Sequence, residues 1–201
     1  KPDIMCIAKS ISGGIMPTSL FITTEEIWMN AYGSKEKCLL HTSTFGGNTW
    51  SAAAGIAALE VIVSENLPQR ALELGDYLLS ELNRLKDKHG LIKEVRGKGL
   101  LIGLEFEQPK GFLDKISGGA LTRASEEYFG ALVAGELQNK HGVITAYTLN
   151  NPNVIRLEPP LTVTKEEIDK VINALDIIFT ENKSFLKLAV KSSGSIISSV
   201  L

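Results

Sequence analysis

The spacing of apolar and polar residues changes along the chain, and these changes predict where strands and helices lie. The apolar run Ile4–Ala8 predicts a buried strand, and the run Ser19–Thr23 predicts a second strand. Thr24 precedes two glutamates, a pattern typical of a helix N-cap, and predicts a short helix over residues 25–32. Residues 39–43 resume a strand pattern. The first part of the chain is therefore predicted to mix short strands with a helix.

The pattern becomes helical at residue 49, where apolar residues repeat every three or four positions up to residue 63. Small residues between them allow close packing, and Pro68 interrupts or kinks the run. A second helical run follows and stops at His89 and Gly90, which supply a basic last turn and a glycine cap. We expect a domain boundary near Gly90.

After Gly90 the pattern is that of a second, smaller domain built from short strands and helices. The predicted elements are, in order, strands at 92–95 and 99–106 around a glycine turn, a loop at 107–120, a helix at 121–140, strands at 142–147 and 154–157, and a helix to about 182. Thr164 and Glu167 form the capping-box pattern that opens the last helix. Residues 183–201 are serine-rich and indicate either a frayed tail or the start of a further segment.

Composition narrows the class of protein. The 201 residues are 44% hydrophobic and 22% charged, which is ordinary for a globular protein. The net charge of −2 gives no basic surface, so nucleic acid and anionic membranes are poor partners. No apolar run approaches the roughly 18 residues that cross a bilayer, and no signal peptide opens the chain. We therefore expect a soluble, cytoplasmic protein.

Cysteine and histidine usage gives no sign of a disulfide framework or a metal site. Cys6 and Cys38 lie in or beside apolar segments, which predicts reduced, packed thiols. The three histidines are dispersed without the spacing of metal ligands, and none is a candidate catalytic residue.

Lys9 is the first candidate for chemistry, because it directly follows an apolar strand and precedes the double glycine Gly13–Gly14. A lysine sheltered at such a strand end is a candidate amine nucleophile for a carbonyl, since desolvation lowers the pKa of its ammonium. The alternative is a solvated lysine in a glycine-rich loop, and the position alone favours that alternative.

Residues 41–48 supply the second candidate. The hydroxyls of Ser43 and Thr44, with the backbone N–H groups of a Gly-Gly turn that opens a helix, could bind an anion such as a phosphate. The alternative is that Ser43 and Thr44 cap the long helix, and both roles are compatible.

Arg156 is the third candidate. It lies in an apolar strand directly before two prolines, where an arginine needs a carboxylate partner if it is buried. Its planar guanidinium suits the carboxylate of an amino acid or a 2-oxo acid. The alternative, favoured by the residues alone, is an internal salt bridge to Glu158. Arg96 in the segment VRGKG is a weaker candidate.

Three segments carry a resemblance to a known family. PDIMCIAKSISGGIMP, HTSTFGGN and VIRLEPPLT resemble, in the same order, motifs of the class III aminotransferases, which depend on pyridoxal phosphate (PLP). The resemblance covers the chain from Lys1 to about Asn182 and implies an α/β protein of fold type I. Residues 1–90 would be the C-terminal part of the PLP-binding large domain, with the end of its sheet and the long inter-domain helix. Residues 91–182 would be the small α+β C-terminal domain, and residues 183–201 would be a tail.

The resemblance also implies a role for each candidate. Lys9 matches the lysine that forms a Schiff base with pyridoxal 5'-phosphate, and Thr44, beside Ser43, matches a threonine that reaches the cofactor phosphate of the neighbouring subunit. Arg156 matches the arginine that binds the substrate's α-carboxylate. The protein would then be a homodimer with shared active sites. Members carry a long N-terminal half with the remaining cofactor contacts, so this chain is predicted to be the C-terminal half of a longer protein.

The resemblance further implies transfer of an amino group from an amine to a 2-oxo acid such as 2-oxoglutarate. The segment VAGELQNKHGVITAYTLNNPNVIRLEPPLT is most similar to members that act on terminal amines of diamines such as putrescine. Ornithine and N-acetylornithine aminotransferases more often have a small residue in place of Glu158. An ornithine-type aminotransferase, an aminomutase of the same fold, and a catalytically incomplete structural module remain the alternatives.

Overall fold

The computed structural model describes residues 1–108, 119–184 and 187–189. The chain divides into two compact units, Lys1–Leu67 and Pro68–Leu201. Most of the loop predicted at 107–120, and most of the tail predicted at 183–201, lie outside the described residues. Both units combine helices with antiparallel strands, as the mixed α/β pattern predicted.

The first unit contains a two-stranded sheet and two helices. Strand β1 (Ile4–Ala8) pairs antiparallel with β2 (Ser19–Thr23), and helices α1 (Glu25–Tyr32) and α2 (Thr49–Ser64) follow. The Thr24 side chain accepts a hydrogen bond from the N–H of Ile27 at 3.3 Å, which confirms the predicted N-cap. This unit carries Lys9, Ser43 and Thr44.

Three predictions for the first unit are wrong. Residues 39–43 form no strand, because hydrogen bonds from Cys38 N to Ser34 O and from Leu40 N to Lys37 O make local turns instead. Strand β1 is not buried, since it belongs to a two-stranded sheet, and its Ile4 side chain is 53% exposed. For the same reason Cys6 on β1 is an exposed free thiol, and Cys38 in the turns is exposed as well.

Helix α3 (Leu67–Lys88) begins after a break at residues 65 and 66, where Asn66 has a φ of 48°. Pro68 lies in the first turn of α3, a position that a proline tolerates because no intrahelical N–H bond is lost there. The helical run is therefore divided as predicted, and its second half ends just before His89.

The second unit is built on a four-stranded antiparallel sheet in the order β3-β4-β6-β5. Its strands are β3 (Ile92–Lys98), β4 (Leu101–Phe106), β5 (Ala146–Tyr147) and β6 (Val154–Leu157). Residues 96–98 continue β3, although a turn was predicted there. Gly99 and Leu100 alone connect β3 to β4, and Gly99 has the positive φ of 55° that such a tight turn requires. The strand predicted at 142–147 is reduced to Ala146–Tyr147.

Two further helices, α4 (Ala120–His141) and α5 (Lys165–Glu181), complete the second unit. The capping box of α5 is present as predicted: Thr164 accepts from the N–H of Glu167 at 3.2 Å, and Glu167 accepts from the N–H of Thr164 at 2.8 Å. The sheet and helices α3, α4 and α5 enclose one core. Its fully buried side chains include Leu82, Ile102, Leu104, Phe106, Phe129, Val133, Leu137, Ile155, Leu175, Ile178 and Phe179.

The opposite face of β4 carries a charged cluster around Glu105. This carboxylate is 11% exposed and accepts from Lys93 Nζ and Arg96 Nη1, each at 2.6 Å. The hydrogen bond from Lys93 is the largest effect that lowers the pKa of Glu105, burial opposes it, and Arg96 adds to the lowering. Since the folded-state pKa is lowered, the stabilisation is present above the pKa of the unfolded chain and is lost as pH falls through the folded-state value.

Replacing Glu105 by glutamine is expected to lower the free energy of unfolding by about 1–2 kcal/mol at pH 7, because both cations are half-exposed and partly rehydrate. Urea unfolding at pH 7 and at pH 3 measures this. The deficit of the variant should shrink at the lower pH. Glu94→Gln, which removes a 50% exposed partner of Arg96, is the matched control and should cost less. An equal deficit for both variants at both pH values would contradict the role of Glu105.

Candidate active site

Lys9 follows β1 in an unusual backbone conformation, with φ 62° and ψ −98°. Positive φ is uncommon outside glycine, and such strain costs about 1–3 kcal/mol and concentrates at functional sites. The side chain is exposed, so the sheltered position expected from the sequence is not observed. Among the residues described, no hydrogen bond or ion pair engages the Lys9 amine. A primary amine is therefore presented freely by a strained backbone.

The loop after Lys9 is anchored from its buried side. A 3-10 turn at Ser10–Ser12 places Ile11 and Ser12 in the interior, where the turn packs against α2. The Ser12 hydroxyl donates to the carbonyl of Met16 at 2.5 Å, and the Ser51 hydroxyl of α2 donates to the carbonyl of Pro17 at 3.2 Å. These contacts hold both ends of the loop, which is the condition for a strained residue to persist.

Ser43 and Thr44 lie in an exposed turn before α2. They do not cap this helix: α2 begins at Thr49, and Asn48 Oδ1 accepts from the N–H of Ser51 at 3.0 Å. The N–H of Gly46 is also engaged, since it donates to the carbonyl of Ser43 at 3.1 Å. The capping interpretation is therefore wrong, and the anion site would rest on the exposed hydroxyls and not on the amide of Gly46.

Arg156 lies in the second unit, on the face of β6 that points away from the core. It is paired in register with Gly103 on β4 and Ala146 on β5, so small residues flank it on both sides. Its Nη1 lies 3.5 Å from Glu158 Oε2, which confirms the salt bridge weighed from the sequence. The hydroxyl of Thr145 donates to the carbonyl of Arg156 and fixes the backbone there.

Arg156 and Glu158 line an open groove with a volume of about 850 Å³. Apolar side chains from the segment before β5 and from α5 form its walls. They include Val143, Ile144, Ile168 and Val171. The groove combines room for an aliphatic chain with charged groups of both signs at its edge, which is the character of a site for a small charged substrate.

The remaining candidates are engaged elsewhere or stand alone. Arg96 is bound by Glu94 and Glu105 on the sheet face. Within the described ranges no histidine, cysteine or carboxylate group forms a metal-binding cluster. None of the helices described there is long and apolar enough to cross a membrane.

Sequence reasoning missed Glu105 and Thr145, and the available signal for Glu105 was a lone acid inside the apolar run GLLIGLEF.

Comparison with known sequences defines the class of protein. The sequence profile described as Aminotransferase class-III matches residues 1–179. The chain therefore belongs to the class III aminotransferase family, as its three motifs indicated.

Solved structures and a related sequence agree with this assignment. The acetylornithine aminotransferase of Elizabethkingia anophelis is 30% identical and superposes over 90% of this chain and 42% of its own, with a TM-score of 0.74. A PLP-bound amine transaminase from an uncultivated Pseudomonas species is 31% identical over 89% of this chain and 38% of its own, with a TM-score of 0.72. These neighbours confirm the predicted fold class.

An uncharacterized aminotransferase of Schizosaccharomyces pombe is 33% identical over 96% of this chain and 39% of its own length. The chain thus spans about two fifths of the length of the relatives that it matches.

Proposed function

We propose that the intact protein is a PLP-dependent aminotransferase that moves an amino group from a terminal amine to a 2-oxo acid such as 2-oxoglutarate. The observation that carries the proposal is Lys9: a free amine on a strained backbone, held by an anchored loop, in the segment that resembles the family's lysine motif. In this proposal residues 1–90 belong to the large domain, residues 91–182 form the small domain, and residues 183–201 form a tail.

The residues of the first unit fit pyridoxal 5'-phosphate. Lys9 offers the primary amine that an aldehyde requires, and the hydroxyls of Ser43 and Thr44 are exposed donors for a phosphate. When bound, the cofactor supplies an electron sink for the charge that develops at the donor carbon. If Thr44 serves the neighbouring subunit, as the resemblance implies, the protein works as a homodimer with shared sites.

Two side chains of this chain then have distinct roles. The Lys9 amine holds the cofactor and acts as the acid and base that moves the proton at the donor carbon. The Arg156 guanidinium binds a carboxylate of the 2-oxo acid through two parallel hydrogen bonds. The exposed faces of both residues are consistent with access for a small substrate.

The test is reduction of the intact protein with borohydride after addition of PLP, followed by peptide mass mapping. A label on Lys9 that is lost in Lys9→Ala, together with cofactor conversion on addition of an amine, supports the proposal. A label scattered over surface lysines, with no conversion by any amine, would overturn it.

The donor is proposed to be a diamine such as putrescine. The related structures include both an amine transaminase and an acetylornithine aminotransferase, so the second candidate is an ornithine-type donor. Comparing kcat/KM for putrescine and N-acetylornithine separates the two. Amino-group migration without any 2-oxo acid would instead indicate an aminomutase.

Arg156→Gln is expected to raise the KM for 2-oxoglutarate about 10–100-fold, since one charge-assisted, bidentate contact is lost. The KM for an amine donor without a carboxylate should change far less. Steady-state kinetics with each substrate varied in turn measures this difference. Arg70→Gln, which removes an arginine that donates to the carbonyls of Thr162 and Val163, is the control. Equal changes for donor and acceptor would exclude a role for Arg156 in carboxylate binding.

A further inference from the structure

Four aromatic side chains of the first unit pack against one another in a closed loop of contacts. Phe21 of β2 packs on Trp28 of α1 with the ring centroids 6.0 Å apart, and Trp28 packs on Tyr32 at 4.9 Å. His41 closes the loop, because its imidazole lies 5.8 Å from Tyr32 and meets Phe21 edge-on at 5.2 Å. Aromatic rings at such distances attract one another beyond the burial of their apolar area. We call these four residues the ring cluster.

His41 is the member of the ring cluster that comes from a different segment of the chain. Phe21 lies in β2, and Trp28 and Tyr32 lie in α1, whereas His41 follows the turns at residues 34–40. The His41 ring is exposed, so the contacts with two neighbouring rings, and not a surrounding core, hold it in place. His41 therefore attaches the segment after α1 to the strand and the helix before it.

The segment from His41 to Asn48 is held at both ends. At its far end Asn48 accepts a backbone hydrogen bond as the N-cap of α2. Between the ends, the N–H of Gly46 donates to the carbonyl of Ser43 at 3.1 Å, a local bond that shapes a turn without attaching it to another element. The placement of the Ser43 and Thr44 hydroxyls relative to β2 and α1 therefore depends on the ring contacts of His41.

We propose that His41 is a positioning residue: by packing in the ring cluster, it holds the turn that presents the hydroxyls of Ser43 and Thr44 to the phosphate of PLP. In this role the ring makes the contacts, and its nitrogens are not required. Hydroxyls that are held in place before binding lose little conformational freedom when they donate to a phosphate. This inference rests on the proposed function, in which Ser43 and Thr44 bind that phosphate.

The experiment measures the affinity of the intact, cofactor-free protein for PLP and for pyridoxal, which has the same aldehyde but no phosphate. The ratio of the two dissociation constants isolates the contribution of the phosphate. His41→Ala is expected to reduce the preference for PLP about tenfold, because hydrogen bonds to a charged group are weakened. The affinity for pyridoxal should stay nearly unchanged. His41→Phe keeps a ring at this position and should keep the preference for PLP.

His89→Ala is the matched control. His89 also packs against an aromatic ring, that of Phe179 at 5.7 Å, but it lies in the second unit. Its replacement removes a comparable ring contact without touching the turn that carries Ser43 and Thr44. The preference for PLP over pyridoxal should therefore remain that of wild type.

A double-mutant cycle separates positioning from a general structural role. In a protein that carries Ser43→Ala and Thr44→Val, His41→Ala should cause no further loss of the preference for PLP, since the hydroxyls that it positions are gone. A further loss of the same size would overturn the role of His41. So would an unchanged preference in His41→Ala, or an equal loss in His41→Ala and His41→Phe.

Failure of the proposed function gives a different result. If Ser43→Ala with Thr44→Val keeps the full preference of wild type for PLP, these hydroxyls do not bind the phosphate. The phosphate site of the proposed function then fails first, and the inference about His41 fails with it. If that variant loses the preference and His41→Ala keeps it, only the inference about His41 is wrong.

Discussion

Replacing Lys9 by alanine is expected to reduce amino transfer by about 10²–10⁴-fold or more, the largest loss expected for any single substitution in this chain. The reason is that, in the proposed function, one amine both holds the cofactor and moves the proton. Among the described residues no other lysine follows a strand with the backbone conformation of φ 62° and ψ −98°. Single-turnover absorbance after mixing with an amine measures the loss directly.

The control for this substitution is Lys35→Ala, which removes an exposed lysine of the same unit. It should retain both turnover and the borohydride label on Lys9. Alanine at position 9 should also relieve little strain, because positive φ remains unfavourable for any residue with a Cβ. If Lys9→Ala turned over as fast as wild type, the assignment of this lysine would be wrong.

Replacing Gly75 by alanine is expected to lower the free energy of unfolding by about 3 kcal/mol or more. Gly75 is buried in α3, and a Cβ built on it would lie 2.2 Å from the carbonyl carbon and oxygen of Gly99 and 2.5 Å from its Cα. These are backbone atoms of the β3–β4 turn, so no side chain can rotate away and the helix or the turn must move. Urea unfolding of the intact protein measures the change.

Gly135→Ala is the matched control, because it makes the same substitution inside helix α4 where nothing lies within 4 Å of the added Cβ. Alanine has the higher helix propensity, so this variant should gain up to about 0.5–1 kcal/mol. Opposite signs for the two variants would show that the close approach of α3 to Gly99 sets the cost. Equal effects would contradict that explanation.

Local elements could be predicted from the sequence because local signals specify them. The helix cap at Thr24 and the capping box of Thr164 and Glu167 were each found where the pattern placed them. Each depends on a side chain that bonds to the backbone within three residues, so distant neighbours hardly matter. The three motifs likewise identified the family, since they are contiguous strings.

Burial was predicted less well, because it depends on what lies beyond each element. The apolar strand β1 was expected to be buried, but a two-stranded sheet leaves Ile4 and Met5 exposed. Residues 39–43 have the composition of a strand but form none. The backbone hydrogen bonds of the turns around Ser34–Leu40 outweigh the β-propensity of these residues.

The sequence by itself determined the positions of the helices, the caps at Thr24 and Thr164, the family, and Lys9, Ser43, Thr44 and Arg156 as candidates. Only the tertiary structure decided the backbone conformation of Lys9, the flanking of Arg156 by Gly103 and Ala146, and the contact of Gly75 with Gly99. The physical reason is the distance along the chain over which each interaction acts. Capping hydrogen bonds and apolar periodicity depend on residues a few positions apart, whereas strand register and close packing join residues that are far apart in the chain.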